Sequence, residues 1–156
     1  MKKKVNNKQP ERGVATIEFA LVFSLLFFVF WGIVSYTFPL LVLQTMNRAV
    51  SEATRVAAEE SPLQTEFVTI ATAAASAELT QQLAWLPTGW RTPITQSVTF
   101  EPNPQCSLAR PNCLLVIQLT YPNYLTNPIV PVLTLPGLGP VPRVPNNLIA
   151  RTSLLL

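Results

Sequence analysis

Phe19-Ala-Leu-Val-Phe-Ser-Leu-Leu-Phe-Phe-Val-Phe-Trp-Gly-Ile-Val-Ser-Tyr-Thr-Phe-Pro-Leu-Leu-Val-Leu43 decides the reading of this chain, because it is apolar on every face of a helix. It lies in a run of 29 residues, Phe19 to Asn47, without a formal charge. A helix needs about 20 such residues to cross the hydrocarbon core of a bilayer. Two other readings compete with a membrane span. A buried core helix would have to be wrapped on all sides, and a chain of 156 residues holds too little protein for that. A cleaved secretory signal shares the basic start and the apolar run. This run, however, is longer than a signal's apolar region, no small-x-small site follows it before Arg48, and Glu18 stands at its entrance. The stretch therefore reads as a transmembrane helix. Trp31 and Tyr36 stand where interfacial anchors occur, with apolar packing the favoured role for Trp31.

The charge is distributed to match. Of the formal +3, residues 1–13 hold Lys2, Lys3, Lys4, Lys8 and Arg12 against Glu11, a net +4, so everything from Val14 onward sums to -1. Basic residues before a span favour a cytoplasmic N-terminus with the rest exported. A surplus confined to one end also argues against nucleic-acid binding, which needs a basic working surface. At 49% hydrophobic and 12% charged the chain is too apolar for disorder. It has no His, no Asp and no Lys after Lys8, which removes histidine acid-base chemistry altogether.

Past the span the helical pattern continues. Met46, Ala49, Val50, Ala53, Val56 and Ala57 recur at helical spacing, with Arg48–Glu52 and Arg55–Glu59 as i,i+4 pairs on the opposite face. Span and amphipathic segment form one rod, with a bend expected near Pro39. Ser61-Pro62-Leu63-Gln64 has the capping-box pattern, so a second helix is expected from Pro62 to Trp85, with Leu63, Phe67, Ile70, Ala74, Leu79 and Leu83 as its apolar line. From Pro87 onward, where 12 of the 15 prolines fall, long helices are excluded. Thr95–Glu101, Cys113–Tyr121 and Leu148–Leu155 read as strands, Ile129–Leu135 as an edge strand, and Gly137-Leu-Gly-Pro140 as a turn. The fold class is α+β: a long N-terminal helix, a second helix and a small antiparallel sheet. The expected division is a leader at 1–13, a transmembrane and assembly helix at 14–45, an exported helical region at 46–86, and a Pro-rich β region with a cysteine pair at 87–156.

Cys106 and Cys113 flank a six-residue loop. On the exported side a structural disulfide is the expected state, contributing about 2–3 kcal/mol at most for so short a loop. A redox pair is the alternative, though the spacing is not Cys-x-x-Cys, and a metal site would lack further soft ligands. No phosphate-binding loop, dinucleotide fingerprint or nucleophile elbow occurs, and Glu59-Glu60 diverge as neighbours on a helix must. Neither catalysis nor a cofactor or metal is expected. Glu18 is the residue that calls for a reason, since an acid inside the membrane costs about 2.5–3.5 kcal/mol at the centre and less toward an end. Either it rests at the headgroups at little cost, or it awaits a cation. Cutting after Gly13 would supply one, the free amine of Val14, four residues away.

A basic leader, Arg12-Gly13, then Val14-Ala-Thr-Ile-Glu18-Phe19-Ala-Leu-Val and an apolar run resembles the processing site of the type IV pilin superfamily. Gly32 late in that run, followed by Asn47-Arg-Ala-Val-Ser-Glu-Ala-Thr-Arg-Val-Ala-Ala58, narrows the resemblance to TadE-like minor pseudopilins of tight-adherence (Flp) pilus systems. Phe19 departs from the Tyr that follows the glutamate in the major Flp pilins, which are also much shorter chains. The resemblance implies a bacterial inner-membrane protein cut between Gly13 and Val14 by a prepilin peptidase. Glu18 and Phe19 would then act in assembly and register. Other pilins or pseudopilins, inner-membrane assembly proteins and the bilayer would be its partners, and entry into the filament is left open. The alternative is an unprocessed single-pass membrane protein whose exported domain binds a partner.

Overall fold

The computed structural model describes residues 12–60, 66–101, 113–135, 137 and 139–155. Helix α1, Arg12–Glu59, is one rod of 48 residues, and Pro39 lies inside it without ending it. Two hydroxyls of its apolar part bond back to the helix, Ser24 Oγ donating to the Ala20 carbonyl (2.7 Å) and Thr37 Oγ1 to that of Ile33 (2.7 Å), whereas the buried Ser35 Oγ and Trp31 Nε1 find no partner among the described residues. Such back-bonding keeps a hydroxyl from facing hydrocarbon unpaired.

Helix α2, Phe67–Leu83, runs back along the upper half of α1. Its buried line is Phe67, Ala71, Ala75, Leu79 and Leu83, set against Val42, Met46, Ala49, Val50, Ala53 and Ala57 of α1. Alanine at 49, 53, 57, 71 and 75 lets the two backbones approach closely, while Met46 and Leu79 fill the space left at the level of the sheet. The expected line through Ile70 and Ala74 is thus displaced by one residue, and both of those are only half-buried. The region is Ala-rich and apolar nearly all round, so closeness of approach sets the phase of the helix. The capping box at 61–64 lies outside the described residues, and Glu66 precedes α2 without a side-chain cap.

A short turn of helix, α3 (Thr88–Arg91), leads into strand β1, Thr95–Glu101. Strand β2, Leu114–Tyr121, pairs antiparallel with β1 and, on its other edge, with the last strand, Leu148–Leu155. Two short strands lie between these in sequence. They are β3 (Leu133–Leu135) and β4 (Gly139–Val141), which makes the last strand β5. The main sheet has the order β1-β2-β5, and β3 and β4 form a separate two-stranded ladder turned through Gly137 (φ 82°). Only the end of the expected edge strand 129–135 is therefore strand, and its partner is β4. The prolines at 128 and 131 remove ladder donors from the rest.

The sheet covers both helices with alternate residues of β2, namely Leu115, Ile117, Leu119 and Tyr121, together with Phe100, Leu148 and Ala150. Direction follows from side-chain contacts. Trp90 packs edge-on against Phe38 of α1 (ring centroids 5.5 Å) at the pole nearer the apolar segment, and Phe67 meets Phe100 (6.1 Å) at the far pole. Strands β1 and β5 run from the near pole to the far one, and β2 returns.

On the surface, Arg55 holds Glu52 through Nη2 (2.7 Å) and Nε (3.1 Å) and also bonds Glu59. The expected Arg48–Glu52 pair gives way to this arrangement, because Arg55 grips one Glu52 oxygen with two donors and reaches Glu59 as well. The guanidinium holds the Glu52 carboxyl below its ordinary range, and the carboxylate raises Arg55 in turn.

Candidate functional site

The residues singled out at the start of the span are continuous on α1. Gly13 and Val14 occupy its first turn, and Glu18 follows one turn later on the same face as Val14. Val14 is 71% exposed and Phe19 70%, with the Phe19 ring stacked on Phe23 (5.9 Å). No part of the most apolar window of α1 is buried inside the protein, although its mean hydropathy is 2.4. A core helix would be covered, whereas this one presents Leu21, Leu25, Phe28 and Phe30 outward in every direction. The first buried residue on α1 is Ser35, and the head covers one side of the rod from there to Ala57. The uncovered length from Gly13 to Phe30 is about 27 Å at 1.5 Å per residue, close to the roughly 30 Å of a hydrocarbon core. Trp31 closes it, half-buried and stacked on Phe27 (6.4 Å).

Nothing in the fold asks for glycine at 13: a Cβ built there meets no atom within 4 Å. The same holds at Gly32, in mid-helix, where glycine costs about 1 kcal/mol relative to alanine. Cys113 is buried (4% exposed) at the far-pole start of β2, and Cys106 lies outside the described residues.

A further feature was not singled out from sequence. At the near pole a groove of about 360 Å³ opens between α1 and the segment leading into β5, with Leu40 and Leu43 on one side and Val144, Pro145 and Ile149 on the other. Tyr36 and Arg143 also line it, and the backbone N–H of Arg143 donates to the Tyr36 hydroxyl (3.1 Å). A contact between residues 107 positions apart has no local pattern to betray it. Deeper in the same pole, burial pushes the Tyr121 and Tyr124 hydroxyls above their ordinary pKa, and Tyr121 donates to the Asn127 carbonyl (2.9 Å).

An uncovered helix long and apolar enough to cross a membrane, carrying a head of a second helix and a small antiparallel sheet, makes an α+β, pilin-like fold that fits a single-pass membrane protein. Residues 13–55 match the family model described as TadE-like protein, and over that stretch, nearly all of α1, the chain is TadE-like. The matched stretch begins at Gly13 and stops before α2, so the sheet lies beyond it. No match was found among curated proteins or among solved structures.

Proposed function

We propose that this chain is a minor pseudopilin-like subunit of a tight-adherence pilus system, cut between Gly13 and Val14 by a prepilin peptidase and held by α1 in the inner membrane with its head exported. The observation that carries the proposal is the conjunction at residue 13: a glycine the fold does not use, at the first matched position, five residues before an acid on an uncovered apolar helix. A residue without an internal role points to a requirement imposed by another molecule, and a peptidase cleft that must admit backbone supplies one.

After cleavage the Val14 amine is a cation at the membrane-embedded end of α1. In the assembled state it pairs with Glu18 of a neighbouring copy, and a subunit out of register leaves a charge unpaired in apolar surroundings. The head supplies the surface that meets other pilins, the secretion machinery or a target surface. A disulfide joins Cys106 to Cys113. The burial of Cys113, and the lack of any free thiol among the described residues, support that pairing. The test is the intact mass of the protein recovered from membranes of cells with an active prepilin peptidase. A chain starting at Val14 is expected, and one starting at Met1 would sink the reading in favour of an unprocessed single-pass protein.

A further inference from the structure

One side of the head is built from α2 and β1, which run between the poles in opposite directions, and the two ends of that side carry opposite charge. Arg91 stands at the near pole, one residue after the Trp90 that packs on Phe38. A crevice of about 190 Å³ opens there between the end of α2 and the start of β1, lined by Thr80, Leu83, Arg91, Ile94, Gln96 and Leu119. Arg91 Nη1 donates to the Ala84 carbonyl at a long 3.5 Å, and no carboxylate of the described residues pairs with the guanidinium. Glu78, an acid on the same helix, is already engaged by Gln82 Nε2 (2.7 Å). At the far pole the same two elements are flanked by acids. Glu66 immediately precedes Phe67 and Glu101 immediately follows Phe100, and those two rings are in contact (6.1 Å). Both carboxylates are exposed, and neither has a hydrogen-bond or ion-pair partner among the described residues.

Copies anchored by the same span all point the same way. At equal height like charge therefore lies level with like charge, and the cation of one head reaches the acids of another only when one copy is raised along the common axis. The shift needed is about 24 Å, the length of α2 at 1.5 Å per residue. We propose that heads of this chain stack near pole on far pole, the Arg91 crevice of the upper copy closing on the Glu66 and Glu101 carboxylates of the copy below. The inference rests on the reading of the chain as an assembling pilus subunit and adds which faces of two copies meet.

Such a contact is heterologous. Each copy keeps acids free at its top or Arg91 free at its bottom, so the contact extends into a row of heads and does not close as a dimer. A copy raised by about 24 Å has lifted most of its roughly 27 Å of uncovered helix above the hydrocarbon core. The contact thus belongs to copies drawn out of the bilayer and is denied to copies lying side by side within it. A guanidinium offers several donors to two carboxylates, which makes each bond charge-assisted.

The test uses the full chain in cells that make the pilus system. Recovery with pilus components is read by quantitative immunoblot, and the N-terminus by intact mass. Arg91→Glu is expected to lower recovery about ten-fold, in the range of close charge pairs across an interface, with processing and membrane amount unchanged. Glu66→Lys combined with Glu101→Lys, at exposed positions on the opposite pole, should do the same even if Arg91→Glu fails to fold. All three changes together should restore recovery. Arg91→Cys with Glu66→Cys should give a cross-linked ladder of copies in the pilus fraction and none in the membrane fraction, with neither single cysteine doing so. Wild-type recovery of the charge variants, failure of the triple change to restore it, a cross-link among membrane-resident copies, or a ladder that stops at the dimer overturns the inference while leaving the pilus reading intact. Absence of the wild-type chain from pilus fractions overturns both.

Discussion

Replacing Glu18 by alanine should separate anchoring from assembly, and the two effects have opposite signs. Glu18 lies 13 residues below Trp31, about 20 Å along the rod at 1.5 Å per residue. With Trp31 at one edge of a core of about 30 Å, the carboxylate sits about 10 Å inside the other edge. An acid at that depth costs a fraction of the roughly 2.5–3.5 kcal/mol charged at the midplane, about 1–2 kcal/mol. Glu18→Ala relieves that cost in the lone subunit, so the variant should be held in the membrane at least as firmly as the wild type. In the proposed assembly the same change strands the neighbour's Val14 amine in apolar surroundings, where losing one partner of a buried pair costs about 3–5 kcal/mol. That amounts to about two to three and a half powers of ten in association. The assay is the partition of the chain between membrane and pilus-assembly fractions, by quantitative immunoblot, with intact mass to establish the N-terminus. Processing should be normal, membrane retention full, and recovery with pilus components lost, with Glu18→Gln behaving like alanine because the charge is what pairs. Wild-type partition in both variants would refute the register role, and an uncut Glu18→Ala chain would move the role of Glu18 to recognition before cleavage.

Gly13→Leu should leave the melting temperature unchanged, since a side chain there meets nothing, yet abolish the cut, so that intact mass reports a chain from Met1. Leu79→Ala removes a fully buried side chain between the helices and the sheet and should cost about 2–5 kcal/mol in denaturant unfolding. Arg55→Met should let the Glu52 carboxyl return to its ordinary pKa, followed by NMR titration. Because that pKa is depressed in the folded protein, the contribution of the pair is present above the unfolded value of about 4.3 and lost as pH falls through the folded one. Both groups are exposed, so stability at neutral pH should barely move.

The main architecture was legible because its signals are strong and local. Residues 19–30 are apolar on every face and stay uncovered, and the strands at 95–101 and 148–155 begin and end where their alternation does. The proline-rich stretch hid more. The turn of helix at 88–91 is too short to show periodicity, and β4 is three residues, one of them proline, that become strand only because Leu133–Leu135 lies opposite. On α2, hydrophobicity could not choose between Ile70–Ala74 and Ala71–Ala75, because the choice is made by the surface of α1. For the site, Gly13, Val14, Glu18 and Phe19 could be read from spacing, since one helix carries them all. The groove could not, because Tyr36, Leu40 and Leu43 meet Arg143 and Ile149 only after the whole chain has turned back on itself.

The unbroken course of α1 makes it a mechanical coupling as well as an anchor. No linker separates the part in lipid from the part that carries the sheet, so a pull on the head is delivered directly to the membrane end, and rotation of the helix turns the head with it. Each residue added or removed between Glu18 and Ser35 would swing the head by about 100° around the rod and shift it by about 1.5 Å. The number of residues in that interval is therefore a setting of compass bearing: it fixes which side of the head faces a neighbour whenever the buried ends of two chains are engaged.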